Sequence, residues 1–358
     1  MTQGIITHPR PHLDEIVAIF LLSLYGEEKY PGIRDAITNR KIFACRVEDL
    51  EATAEGYEQS GYIMLGVGGG RYDEHGVNGE SRKKGDCCAT LVAKDLGVDK
   101  LRELSKILKF VTGGDLNGNS QPFDLSALVG LINGQYPDDP FPAIDFAFAA
   151  LNAKYAEQYD FHVIAGEEAK KATVEEVLTA SGKKLRIVTV KTDCEAVGKY
   201  IRSEYGGGAD IIIQKNSRRQ VQIFTDKRSG LNMTDTAQIL RLVEQESKDQ
   251  EVVTSDWNLL AGEGKVIGAE EWYFFPTGNM LLNGSLTAPN TPPTNIALQD
   301  IQSLVKIGVN GMFEPSREQK CKQGNCSSRR DDECKWYAFG LQRCREVRRL
   351  EYQRRQTA

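Results

Sequence analysis

Apolar positions in this chain come in short runs that alternate with segments of helical spacing. Residues 4–7, Gly-Ile-Ile-Thr, read as a short strand, and 13–24 carry the dense apolar pattern of a buried helix. A second strand covers 61–67 and runs into Gly68-Gly69-Gly70, with helices following at 87–96, 101–110 and 125–131. Strands separated by helices imply parallel pairing through βαβ crossovers, and reactive groups in such sheets gather at the carboxyl ends of the strands.

Farther on, a long polar helical pattern from 143 to 178 reads as a bridge between two lobes. A second α/β unit then begins, with strands at 185–190, 209–214 and 221–225 and a helix at 194–202. The segment 233–235 offers a helix start, running to 243. Residues 272–275 and 280–282 read as strands joined by the turn Pro276-Thr277-Gly278-Asn279, and 298–305 as a closing helix. Past Gly311 the composition changes abruptly to cysteines and arginines.

A chain of 358 residues suits two domains and an appendage. Its formal net charge of −5 supplies no general attraction for nucleic acid or anionic lipid. That average hides a basic end, because from Arg317 onward there are roughly six more basic than acidic side chains. No apolar run approaches the ~20 residues of a membrane helix, and the first one follows His12, Asp14 and Glu15 rather than a basic leader. Eight cysteines without a secretory signal point to thiols or metal ligands and a cytoplasmic setting.

Two of the four histidines sit in one segment between a strand and a helix, Thr7-His8-Pro9-Arg10-Pro11-His12-Leu13-Asp14-Glu15. Imidazole with carboxylate suits Mn²⁺, Fe²⁺ or Zn²⁺ better than Ca²⁺. A polar loop with an Asp-type helix cap is the plainer alternative. A third histidine follows the second strand and its glycines in Asp73-Glu74-His75, and Gly113-Gly114-Asp115-Leu116-Asn117-Gly118 adds a carboxylate in what reads as a glycine-rich loop. The remaining histidine, His162, and the thiols of Cys45, Cys87, Cys88 and Cys194 read as structural, since free cysteine packs as a small hydrophobe. Lys215, Arg218 and Arg219 are candidates to grip a phosphate or to be plain surface charge.

The order of these motifs carries a resemblance. Thr7-His8-x3-His12-x-Asp14-Glu15 resembles the T-H-x3-H-x-D-E opening of the MYG exonuclease family, a branch of the DHH phosphoesterases. Arg71-Tyr72-Asp73-Glu74-His75-Gly76 resembles that family's R-Y-D-H-H-Q, and Cys87-Cys88-Ala89-Thr90-Leu91-Val92 its helix beginning S-S-A-G-L-V. Asp115-Leu116-Asn117-Gly118 stands where the family has D-x-x-D-N-G, and Trp272-Tyr273-Phe274 with 292–301 resembles its closing stretch.

The resemblance implies an α/β protein with a DHH-like metal and catalytic domain over 1–142, its parallel sheet flanked by helices. A connecting helical segment would cover 143–183, a second, smaller α/β domain on the substrate side 184–312, and a Cys-rich tail 313–358. It implies Mn²⁺ or Mg²⁺ held by His8, His12, Asp14, Glu74 and Asp115, with His75 and Asp73 as catalytic groups and the substrate between the lobes. Two departures stand out. The family's bridging aspartate before V-G-G is Gly66 here, and the first histidine of its D-H-H triplet is Glu74.

In the tail, Cys321-x4-Cys326-x7-Cys334-x9-Cys344 gathers four thiols that can close a tetrahedral Zn²⁺ site, with an iron–sulfur cluster as the alternative. Arg329, Arg330, Lys335, Arg343, Arg345, Arg348, Arg349, Arg354 and Arg355 surround Trp336, Tyr337 and Phe339. Cations hold a phosphate backbone and rings stack on unpaired bases. The same tail is a candidate contact for a second copy or a protein partner. The expected function is metal-dependent phosphodiester hydrolysis, as a nuclease on RNA or single-stranded DNA; a third reading makes the substrate a small phosphoester such as a dinucleotide. The alternative is a catalytically degenerate DHH scaffold that binds nucleotide or nucleic acid, or serves as an assembly subunit.

Overall fold

The structure, a computed structural model, describes residues 1–75, 85–118, 120–179, 182–248 and 251–310, with 349, 352–354 and 356 near the C-terminus. Cys321, Cys326, Cys334 and Cys344 lie outside the described residues, as do the tail's Trp336, Tyr337 and Phe339. The chain forms two compact units, Met1–Val163 and Ile164–Ala358.

In the first unit a three-stranded parallel sheet has the order β2-β1-β3, from β1 (Gly4–Thr7), β2 (Ile42–Ala44) and β3 (Tyr62–Met64). Ile5 pairs with Ile42 on one side and Ile63 on the other. All four residues of β1 are buried, as expected of a central parallel strand covered on both faces. Successive side chains point to opposite faces, so Ile5 packs into the main core while Ile6 joins Met64 and Val67 on the other side.

The helices of this unit are α1 (Leu13–Tyr25), α2 (Ile33–Thr38), α3 (Ala54–Gln59), α4 (Cys88–Asp95), α5 (Arg102–Asn117), α6 (Leu125–Gln135) and α7 (Phe141–Tyr159). Every residue of α1 from Leu13 to Leu22 is buried. A helix apolar all round must be covered all round, and α1 is the hub on which α2, α4, α5 and α7 pack. Phe20 meets Phe148 of α7 edge-on at 5.6 Å between ring centroids and Tyr155 at 6.1 Å.

Two readings of the pattern are corrected here. Asp115 lies inside α5 rather than in a loop after a helix. Packing of Leu104, Ile107, Leu108 and Val111 carries the helix through Gly113 and Gly114, and Gly118, at φ +64°, ends it instead. The helical pattern from 143 does not reach 178. α7 passes through one π turn (Asp160–Ile164) into α8 (Ala165–Ala169), and Thr173–Leu178 is a strand, β4. Its β-branched residues pair antiparallel with Lys184–Lys191, β5, over the whole segment.

The second unit holds the larger sheet, seven strands in the order β4-β5-β6-β7-β10-β9-β8, and not a smaller one than the first. Its remaining strands are β6 (Ile211–Lys215), β7 (Val221–Thr225), β8 (Gly264–Val266), β9 (Ala269–Phe275) and β10 (Met280–Leu282). β5 and β6 run parallel through α9 (Val197–Arg202), and the 276–279 hairpin joins β9 to β10 as the pattern predicts. Arg218 and Arg219 are exposed in the β6–β7 turn. One face is covered by α10 (Thr234–Glu246) and α12 (Leu298–Val309); α11 (Trp257–Leu260) is short.

A buried ionic lattice fixes α10 to this sheet. The Arg241 guanidinium donates to the carbonyls of Leu260 and Gly262 at 2.7 Å each and also to those of Gly264 and Trp272. The Glu244 carboxylate accepts from the Trp272 indole N–H at 2.9 Å and the Asn295 amide at 3.0 Å. Burial lowers the Arg241 pKa to about 10. No helix among the described residues is long and apolar enough to cross a membrane.

Because Phe20 wedges α1 against α7, Phe20→Ala is expected to destabilise the first unit by about 3–5 kcal/mol. Urea unfolding followed by far-ultraviolet circular dichroism measures it.

Candidate metal centre

Two strands of the small sheet, β1 and β3, are each followed by a segment that carries candidate ligands. After β1 the chain turns through His8 to His12, the N-cap of α1. The Glu15 side chain reaches back so that one carboxylate oxygen, Oε2, accepts the His12 backbone N–H at 2.7 Å, closing a capping box. Asp14 and Glu15 thereby sit in the first turn of α1, where the helix dipole favours negative charge.

After β3 the loop 65–75 folds back on itself. The Gly66 N–H donates to the Tyr72 carbonyl at 3.1 Å. Both Asp73 oxygens accept loop amides, Oδ2 from Gly69 at 2.8 Å and Oδ1 from His75 at 2.9 Å. Tyr72 is buried, and its hydroxyl shares Asp95 at the end of α4 with the hydroxyl of Tyr30. This holds Glu74 inward and His75 outward, with His75 Nδ1 at 3.3 Å from Asp73 Oδ1 and 3.4 Å from Glu74 Oε1.

The third contribution comes from α4 and α5. Cys87 is the N-cap of α4 and closes a capping box with Thr90, and the adjacent Cys88 amide donates to Asp14 Oδ2 at 3.3 Å. Asp115 projects from the last turns of α5. Asp14, Asp115, His12 and Asn133 line one recess of about 300 Å³. The His8 and His12 rings are 6.3 Å apart, and His8 also lies within electrostatic reach of Asp73 and His75.

Among the described residues, three sets of side chains bring possible ligand atoms within 4.8 Å of one another: His12, Asp14 and Glu15; Asp14, Cys87 and Asp115; and Asp73, Glu74 and His75. Asp14 belongs to two of them. The third set shares no residue with the other two, but its Glu74 lies within electrostatic reach of Asp14 and Asp115. Asp73 is a brace for its own loop and for His75, since both its oxygens already accept amides.

The electrostatics fit a divalent cation. Asp14, Glu15 and Glu74 are 3%, 1% and 1% exposed, so three carboxyls share a nearly dry site. Burial pushes the Glu15 carboxyl well above the usual carboxylate range, and the Asp14 carboxylate beside it adds to the shift. Glu74 is raised first by burial, with Asp14 and Asp115 pushing the same way against His75. Like charges out of water are costly unless a cation offsets them. Oxygen and imidazole ligands on a 2+ ion provide that offset, and the residues present suit one.

Gly66 has the most informative geometry. It adopts a left-handed conformation, φ +64°, and a Cβ added there would lie 2.4 Å from Glu15 Oε1. Glu15 fills the space in front of position 66 with its own carboxylate. Sequence reasoning named Glu15 only as part of a motif and set Cys87 aside as a packed thiol; both stand at the centre. The available signals were a second acid in the first turn of a buried helix and a Cys-x-x-Thr capping box opening α4. Compared with protein-family models and with curated proteins, the chain matches none.

Gly66→Asp alone is expected to weaken Mn²⁺ binding and to cost about 1–2 kcal/mol in backbone strain, before the clash with Glu15 is added. Adding Glu15→Ala should recover part of the binding. Isothermal titration with Mn²⁺ and urea unfolding read the two effects.

A carboxyl raised on folding keeps its proton in the folded chain over a pH range where the unfolded chain has lost it. Its contribution therefore falls as pH rises from the ordinary carboxylate range toward the raised value. Glu15→Gln should accordingly raise the urea midpoint of the metal-free protein near neutral pH. That gain should vanish as pH falls into the ordinary carboxylate range, and Mn²⁺ should abolish it at neutral pH.

Proposed function

We propose that the first unit binds divalent metal ions past the carboxyl ends of β1 and β3 and hydrolyses phosphodiester bonds in RNA or single-stranded DNA. The observation that carries this reading is that Asp14 shares ligand-distance sets with both His12 and Asp115, while Glu74 lies within electrostatic reach of Asp14 and Asp115 and His8 of His12. His8, His12, Asp14, Glu15, Glu74 and Asp115 would hold Mn²⁺ or Mg²⁺. Bound divalent ions supply an activated water and offset the charge that builds on the phosphoryl oxygens.

The chain's own residues supply the rest. His75 is exposed, and Asp73 and Glu74 flank its Nδ1, which leaves Nε2 to donate a proton toward a non-bridging phosphoryl oxygen. Asp73 positions this ring through the two loop amides it accepts. Glu74 stands where the DHH-type pattern has histidine, and a carboxylate there keeps a hard oxygen ligand for Mn²⁺. Gly66 supplies no ligand, and Glu15 offers a carboxylate at the same point. Membership of the DHH superfamily, of the MYG exonuclease-like branch, is part of the proposal. So are the tail's grip on the strand through its arginines and aromatic residues and a Zn²⁺ on its four cysteines.

A second reading, a scaffold that binds nucleic acid without cleaving it, is favoured by Gly66 alone. The two separate on a single assay. Purified full-length protein with Mn²⁺ should release nucleotides from a single-stranded RNA, chelation should abolish release, and Asp14→Asn should lower the rate at least about 100-fold. Undiminished turnover after chelation sinks the hydrolytic reading. Tight strand binding with no turnover under any divalent ion supports the scaffold.

A further inference from the structure

Next to the recess that Asp14, Asp115 and Asn133 line lies a sulfur atom that the hydrolytic reading leaves unused. Cys87 is fully buried, and its Sγ groups with the carboxylates of Asp14 and Asp115 within 4.8 Å. Ligand atoms around a tetrahedral Zn²⁺ stand about 3.5 Å apart, given bonds of about 2.0–2.3 Å, so modest side-chain rotation brings this set into range.

The start of α4 holds this sulfur in place. Sγ caps α4 and accepts from the Thr90 amide, and the Thr112 hydroxyl lies 4.0 Å from it. Burial, with the Asp14 carboxylate adding to it, pushes the Cys87 thiol pKa up, and a cation bound at this point would offset both. The same turn of α4 also holds Asp14 through the Cys88 amide. One helix end thus orients two of the three anionic donors.

An independent feature marks this recess as a ligand site. Asn133 is 4% exposed and lines it, and its Nδ2 donates to the Pro11 carbonyl at 2.8 Å. That bond fixes which end of the amide is which. Oδ1 is then a buried acceptor with no hydrogen-bond partner among the described residues. A buried amide oxygen without a donor is costly, and a cation or its bound water satisfies it.

We propose that Cys87 is a metal ligand, its thiolate joining Asp14 and Asp115 to hold a thiophilic divalent ion such as Zn²⁺ in the part of the centre bordered by Asn133. Binding forms a sulfur–metal bond and releases the thiol proton to solvent. Mixed sulfur and oxygen donors select Zn²⁺ or Co²⁺ over Mg²⁺ at this position, whereas oxygen and imidazole donors such as Glu15, Glu74 and His12 suit a harder ion. The inference rests on the reading of this centre as a metal site and adds the identity of one ion.

Cobalt tests it in the full-length chain, because a thiolate on Co²⁺ gives a charge-transfer band in the near ultraviolet. The four tail cysteines contribute equally to the parent and to Cys87→Ser, so the difference spectrum isolates position 87. Serine is a strong N-cap and preserves the start of α4. The parent should show an extra band at saturating Co²⁺ that Cys87→Ser lacks, and Asp115→Asn should raise the Co²⁺ needed to half-fill it about 10- to 100-fold. Superimposable cobalt spectra from parent and Cys87→Ser, both with native circular dichroism, overturn the assignment.

Should Cys87→Ser not fold, slow alkylation of the unmodified protein with peptide mapping decides instead. Zn²⁺ but not Mg²⁺ should protect Cys87, with Cys45 as the accessible control, and equal labelling overturns the proposal. Cobalt overlay with intact Mn²⁺-dependent cleavage removes Cys87 alone. A cobalt difference without cleavage removes the hydrolytic reading alone.

Discussion

Mutual repulsion among buried carboxyls is the constraint around which the first unit is organised. Asp14, Glu15 and Glu74 have been taken out of water within one site, and burial together with proximity drives Glu15 and Glu74 toward their protonated forms. A fold tolerates such a cluster only where the local structure forces it and something else compensates. Here α1 forces it, since a helix buried over ten successive residues has no freedom to rotate its first turn away. The compensation within the chain is partial: the N-terminal dipole of α1, the His12 and Cys88 amides, and His75. A divalent charge would complete it.

That constraint explains which parts of the centre could be read from sequence. His8, His12 and Asp14 were legible because they lie within one strand-to-helix turn, where chain order and spatial order coincide. The Asp73-Glu74-His75 segment was legible because it closes the glycine-rich loop that follows β3. Glu15 as the occupant of the space facing Gly66 was not. It depends on the side chain of one element filling the space that a Cβ at Gly66 would need, and no local pattern encodes that between residues so far apart in the chain. Cys87 escaped because a buried thiol and a ligand thiol look alike until their neighbours are known.

Much of the fold was legible too, and its departures share one cause. β1, α1, β7 and the β9–β10 hairpin follow their apolar periods closely. Asp115 was read as a loop residue because Gly113 and Gly114 are strong local breakers, yet four buried apolar side chains upstream outweigh two glycines worth about 1 kcal/mol each. β4 was read as helix because its exposed edge position leaves little hydrophobic alternation to see. In both places tertiary packing overrides local preference.

The buried lattice of the second unit has an optical consequence. Trp257 and Trp272 both belong to that unit, and the third tryptophan of the chain, Trp336, lies farther along in the tail. Selectively excited indole emission therefore originates wholly outside the unit that holds the acidic centre. Eight tyrosines are the phenol chromophores inside that unit, and two of them, Tyr30 and Tyr72, share Asp95 beside the loop that presents Glu74. Absorbance of phenol rings, rather than indole fluorescence, is the native reporter of what enters the acidic centre.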